Sequence, residues 1–128
     1  MSMSTIGVPL EGFGVYCRAA AAEGAVLLKN EGHMFPLKKE EMVSVFGRCQ
    51  FETYRSGTGS GGAVNVPYAV NIYDGMRESG SFTLNEELAD IYRAWLKDHP
   101  FDNGGGGWAA EPWHQKEMVI TEEIAAAT

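Results

Sequence analysis

The segment Ser56-Gly57-Thr58-Gly59-Ser60-Gly61-Gly62 carries the spacing GxGxxG at Gly57, Gly59 and Gly62. In a dinucleotide-binding unit that spacing cradles pyrophosphate at a helix N-terminus. Its context argues against this role, because the glycines begin ten residues beyond Gly47 and Pro67 stands before the next expected helix. A nucleotide-binding domain is thus the weakest reading of the loop, and a tight turn that needs glycine at positive φ is the simplest. Trp108 and Trp113 offer flat apolar faces that could stack on the C–H side of a pyranose. Anchoring a loop or an interdomain contact is their plainer role. His33, His99 and His114 are far apart and lack metal-type partners at regular spacing, so surface or capping roles are expected and no metal site. The acidic pairs Glu40–Glu41, Glu86–Glu87 and Glu122–Glu123 suit solvation and helix-dipole matching rather than catalytic opposition.

The elements that must position these residues are unevenly legible. Residues 14 to 30 favour helix, with four consecutive alanines and Val15, Ala19, Ala22 and Val26 at helical spacing; Gly24 lies inside it and Gly32 stops it. Residues 42 to 46, MVSVF, form the one clear strand, ended by Gly47. Pro67 and Tyr68 open a short helix reaching about Ser79, with Gly80 as its stop. Thr83 and Glu86 match a capping box ahead of the stripe Leu84, Leu88, Ile91, Tyr92, Trp95 and Leu96. Residues 101–117 form a Gly/Trp-rich loop holding Gly104 to Gly107, and Thr121 caps a last helix beginning Glu122-Glu123. One strand among several helices is an incomplete α/β unit, because a lone strand leaves backbone groups unpaired and a parallel sheet needs further strands.

At 128 residues, with 45% hydrophobic and 21% charged residues, the chain has the size and composition of one globular domain or a piece of one. The net charge of −7 and scattered basic residues make nucleic acid a poor partner. Cys17 and Cys49 show no CxxC spacing, so free thiols in a reducing compartment are expected. No signal-like start and no apolar run of about 18 residues is present. Together these features point to a cytoplasmic chain without membrane attachment.

Taken in order, CRAAAAEGAVLLKNEGHMFPL, VSVFGRCQ, YRSGTGSGGAVN and NIYDGM resemble the opening of the α/β sandwich domain of glycoside hydrolase family 3, the β-glucosidase family. The LLKN…PL element and the glycine-serine loop after the strand are the specific parts. The likeness covers residues 14 to 80, and FDNGGGGWAAEPW with the Thr121 helix is similar to an insertion in a bacterial branch. The fold class it implies is α/β: an incomplete fragment of an α/β sandwich domain, with residues 1–128 as its truncated N-terminal part. Only a short leader precedes the likeness, so either the segment was cut from a longer chain or its parent belongs to the branch with reversed domain order, toward which the natural-looking leader points.

The resemblance also implies a function, retaining hydrolysis of β-glucosides. That chemistry needs two carboxyl groups about 5 to 5.5 Å apart on opposite sides of the scissile bond. In the family a barrel-like domain holds the nucleophile, and a later loop of the sandwich domain commonly supplies the acid/base. Neither is recognisable here, so the chain alone is expected to be inactive, with no catalytic residue and no cofactor of its own. The glycine loop becomes an element of the active-site rim, where Arg55, Ser56, Thr58, Ser60, Asn65 and Tyr68 could hydrogen-bond sugar hydroxyls. The expected partners are a carbohydrate substrate, the missing barrel domain, and a second copy paired through the exposed strand edge. The alternative is a non-catalytic module binding carbohydrate or protein through the glycine loop and the tryptophans.

Overall fold

The structure is a computed structural model that describes residues 10–53, 68–102, 115–126 and 128. It divides into two compact units, Met1–Pro36 and Leu37–Thr128.

In the first unit, helix α1 spans Phe13–Glu23 and has no buried residue. Alanine propensity, rather than packing within the unit, carries it. The helix is shorter than the expected 14 to 30, because Gly24 is its C-terminal cap and not an interior residue. Beyond it Val26, Leu27 and Leu28 leave the helix and stand exposed. A single turn at Glu31–His33 follows, with Gly32 at φ 74°. Asn30 brackets the next bend: its Oδ1 accepts from the Phe35 N–H at 3.0 Å and its Nδ2 donates to the Phe35 carbonyl at 2.8 Å.

The second unit is a βαβ arrangement extended by two more helices. Strand β1 (Met42–Val43) pairs in parallel with β2 (Thr83–Leu84), in the register Met42↔Thr83 and Val43↔Leu84. Between them runs helix α2, Ile72–Ser79, while α3 covers Glu86–Asp98 and α4 covers Glu122–Ala126. Two expectations are corrected here. The strand is not alone and does not reach residue 46, and Thr83 does not cap a helix. Thr83 and Asn85 instead donate their N–H groups to the carbonyls of Glu41 and Val43, at 3.1 and 2.9 Å. Pairing with β1 thus claims Thr83, a β-branched residue suited to a pleated strand. The capping role moves to Asn85, whose Oδ1 accepts from the Leu88 N–H at 3.1 Å. Because β2 gives way to α3 at Asn85, Ser44 to Phe46 have no partner strand on that side among the described residues.

Helix α2 begins at Ile72, capped by Asn71, whose side chain accepts from the Asp74 N–H. The expected start at Tyr68 is four residues early. The helix ends at Gly80, which takes φ 61°, a left-handed conformation that disfavours other residues. The apolar stripe of α3 faces the core as its periodicity requires, with Leu88 and Tyr92 almost fully buried. One cluster gathers Tyr73, Leu84 and Ala89, and a second gathers Leu88, Tyr92 and Met118. Phe51 packs against both. Its ring lies 4.9 Å from that of Tyr73, and the Arg93 guanidinium sits 5.0 Å from the centroid of each.

Burial is the main force pushing the Tyr73 hydroxyl above its ordinary pKa, and the Glu86 carboxylate adds to it. Since the folded value is raised, the stabilisation is complete below the unfolded pKa of about 10 and is lost as pH climbs through the folded value. Urea midpoints measured between pH 8 and 11 should therefore fall more steeply for the wild type than for Tyr73→Phe. At pH 7 the variant should lie within about 1 kcal/mol of wild type, because the buried hydroxyl has no hydrogen-bond partner among the described residues. Parallel pH slopes for the two proteins would disprove this role of Tyr73.

Candidate functional site

Two stretches of the second unit were singled out for sugar contact, and the structure describes the residues that flank them in sequence. Arg55, Ser56, Thr58, Ser60 and Asn65 lie outside the described residues, as do Trp108 and Trp113. Tyr68 is described and is 71% exposed.

The first stem is closed by Thr53. Its hydroxyl donates to the Cys49 carbonyl at 2.7 Å and accepts from the Ile72 N–H at 3.0 Å. This fastens the turn after β1 to the start of α2. A cavity of about 250 Å³ opens there, lined by Phe51, Glu52, Thr53, Ala69, Val70 and Asn71. The second stem is closed by a side-chain amide lying on a main-chain amide. Asp102 N–H donates to Gln115 Oε1 at 2.9 Å, and Gln115 Nε2 donates to the Asp102 carbonyl at 2.6 Å. A second cavity, of about 220 Å³, lies beside it, with Arg48, His99, Gln115 and Lys116 in its wall.

Arg48 is only 3% exposed and reaches both stems. It sits in a single helical turn, Arg48–Gln50, entered through Gly47 at φ 95°. That positive φ is what turns the chain sharply off β1 and demands glycine. The guanidinium donates from Nε to Glu52 Oε2 at 2.8 Å and from Nη1 to the Lys116 carbonyl at 2.7 Å. Nη2 donates to the His99 carbonyl at 2.9 Å and also to Glu52. The Arg48 N–H donates to Glu117 Oε2 at 2.9 Å, while Glu117 Oε1 accepts from the Met118 N–H. A charge this deeply buried is tolerable because a carboxylate and two carbonyls meet its donors. The guanidinium also lies 5.5 Å from the centroid of the Trp95 ring, on which His99 stacks at 4.1 Å. His99 caps α3, its N–H donating to the Trp95 and Leu96 carbonyls.

This geometry can hold loops in place, but it does not resemble a hydrolytic pair. Glu52 and Glu117 are instead engaged by Arg48 and by main-chain N–H groups. Among the described residues no group of three His, Cys, Asp or Glu side chains could hold a metal ion. No helix among them is long and apolar enough to cross a membrane. Arg48, Glu52, Gln115 and Glu117 were not singled out from the sequence. The Arg48–Glu52 spacing of four residues was visible, but it looks like any surface helical pair.

Comparison with known proteins places this architecture. The profile of the glycosyl hydrolase family 3 C-terminal domain matches residues 25–127. A β-glucosidase of Ruminococcus albus is 48% identical over 103 residues, which are 80% of this chain and 11% of that protein. The crystal structure of a β-glucosidase from Paenibacillus barengoltzii superposes with a TM-score of 0.86 at 66% identity, over 96% of this chain and 13% of that one. β-Glucosidase 3B of Thermotoga neapolitana, solved with α-D-glucose, superposes with a TM-score of 0.62 at 37% identity, over 74% of this chain and 13% of that one. The chain thus spans little more than a tenth of the length of these relatives.

Proposed function

The chain belongs to glycosyl hydrolase family 3, within its C-terminal domain, and from that premise we propose that it is the opening part of the α/β sandwich domain of a retaining β-glucosidase. Sustained likeness to β-glucosidases in both sequence and backbone carries this reading. The chain contributes the βαβ unit and the stems of two loops, and the attacking and protonating carboxylates come from elsewhere in the enzyme. Arg55, Ser56, Thr58, Ser60, Asn65 and Tyr68 would contact sugar hydroxyls at the rim. Trp108 and Trp113 would meet a sugar face or a neighbouring domain. The two free, exposed cysteines support a reducing, cytoplasmic location.

An aryl β-glucoside assay tests the reading. Turnover is expected from the complete enzyme and not from the 128-residue chain. Turnover by the chain alone would sink it, and sugar binding without hydrolysis by the complete protein would favour a non-catalytic module. The short sheet, with Met42 62% exposed on β1, also supports self-association of the isolated chain through a strand edge. Light scattering should then show mass rising with concentration, and a constant monomer mass would rule the association out.

A further inference from the structure

Arg48 stands in a particular relation to the chain around it. Glu52, which takes two of its hydrogen bonds, lies just before residues 54–67, which hold the glycine loop. The His99 and Lys116 carbonyls, which take the others, lie on either side of residues 103–114, which hold Trp108 and Trp113. Each stem has its own clamp, Thr53 for the first and the Asp102–Gln115 pair for the second. We propose that Arg48 is a positioning residue that couples the two stems, so that the placement of one stem depends on the placement of the other.

A guanidinium suits this task, because its planar fork sends donors in several fixed directions at once. A lysine ammonium at the same position is a point charge and cannot reach a carboxylate and two separate carbonyls in that geometry. Burial of the guanidinium raises the stakes: with it gone, Glu52 and both carbonyls would lose the one donor group that joins them. The link does not act on the reacting bond. It acts through the loops, so it should appear in substrate affinity more than in the chemical step. That bearing on catalysis rests on the β-glucosidase reading, whereas the coupling of the stems does not.

The test is hydrogen exchange, read by mass spectrometry on the complete polypeptide that carries this chain, together with aryl β-glucoside kinetics. Losing hydrogen bonds to a charged group should speed exchange in Arg48→Met about tenfold across both 54–67 and 103–114, with the middle of α3 unchanged. KM should rise about tenfold with kcat changed much less, the pattern of lost binding rather than lost chemistry. Arg48→Lys should resemble Arg48→Met.

Glu52→Gln gives the sharper readout and serves where Arg48→Met does not fold. It weakens a charge-assisted bond at the first stem only, so faster exchange in 103–114, by about threefold, would have to travel through Arg48. A response confined to one segment, no response in either, or a wild-type pattern in Arg48→Lys would overturn the proposal. A complete polypeptide without glycosidase activity would refute the functional reading, and exchange would still decide the role of Arg48.

Discussion

Tyr92→Ala is expected to cost about 3–5 kcal/mol of stability, the range for removing a large aromatic from a packed core. The ring is 1% exposed and packs with Leu88 and Met118, against which Phe51, Ile91, Trp95 and Ile124 also lie. Its hydroxyl accepts from the Gly47 N–H at 2.9 Å, where the chain turns off β1 toward Arg48. Truncation therefore opens a cavity and strips a half-buried N–H of its partner. Tyr92→Phe separates the two effects, since it keeps the packing and gives up only the hydrogen bond, at about 1–2 kcal/mol. Against a typical total of about 5–15 kcal/mol for a domain, the alanine variant should lose most of its cooperative unfolding transition in urea. An alanine variant with a wild-type midpoint would show that the second core cluster does not hold the fold together.

Asn85→Ala is expected to cost about 2 kcal/mol, toward the upper end for losing a helix cap. Asn85 is 5% exposed and works at a junction, where β2 ends and α3 begins. Its N–H completes the parallel ladder at Val43, its Oδ1 caps α3 at Leu88, and its Nδ2 donates to Ser44 Oγ at 3.1 Å. Alanine keeps the ladder bond and loses the side-chain bonds. Asn85→Asp should recover the cap, and its charge suits a helix N-terminus, but it cannot donate to Ser44. Urea midpoints should therefore rank wild type, Asp, then Ala. An alanine variant ranking with wild type would mean that the α3 terminus is satisfied without this side chain.

The helices were legible where local signals agreed. The α3 stripe and the Gly80 stop each follow from a few neighbouring residues, and the structure places them as expected. Thr83 was misread because Thr83–Glu86 and Asn85–Leu88 are overlapping three-residue spacings that both suit a helix start. The choice between them is made by β1, some forty residues earlier in the register Met42↔Thr83. Helix α1 was extended too far because Gly24 sits among good helix formers, and nothing local marks it as an end. The Arg48 network was the least legible, since its carbonyl partners lie 51 and 68 residues away. Of the rim residues, only Tyr68 falls among the described positions, and the proposed roles of all of them rest on the family resemblance.

The parallel pairing of residues 42–43 with 83–84 also sets an order of assembly. Bringing such distant segments together carries a loop-closure cost that local helices escape, so the sheet forms late and slowly relative to α3. On the ribosome β1 emerges well before β2, and Arg48 emerges long before Lys116 supplies its last acceptor. A nascent chain therefore passes through a stage in which an apolar strand and an unmatched guanidinium are both in water, and that is when a chaperone would have the most to shield.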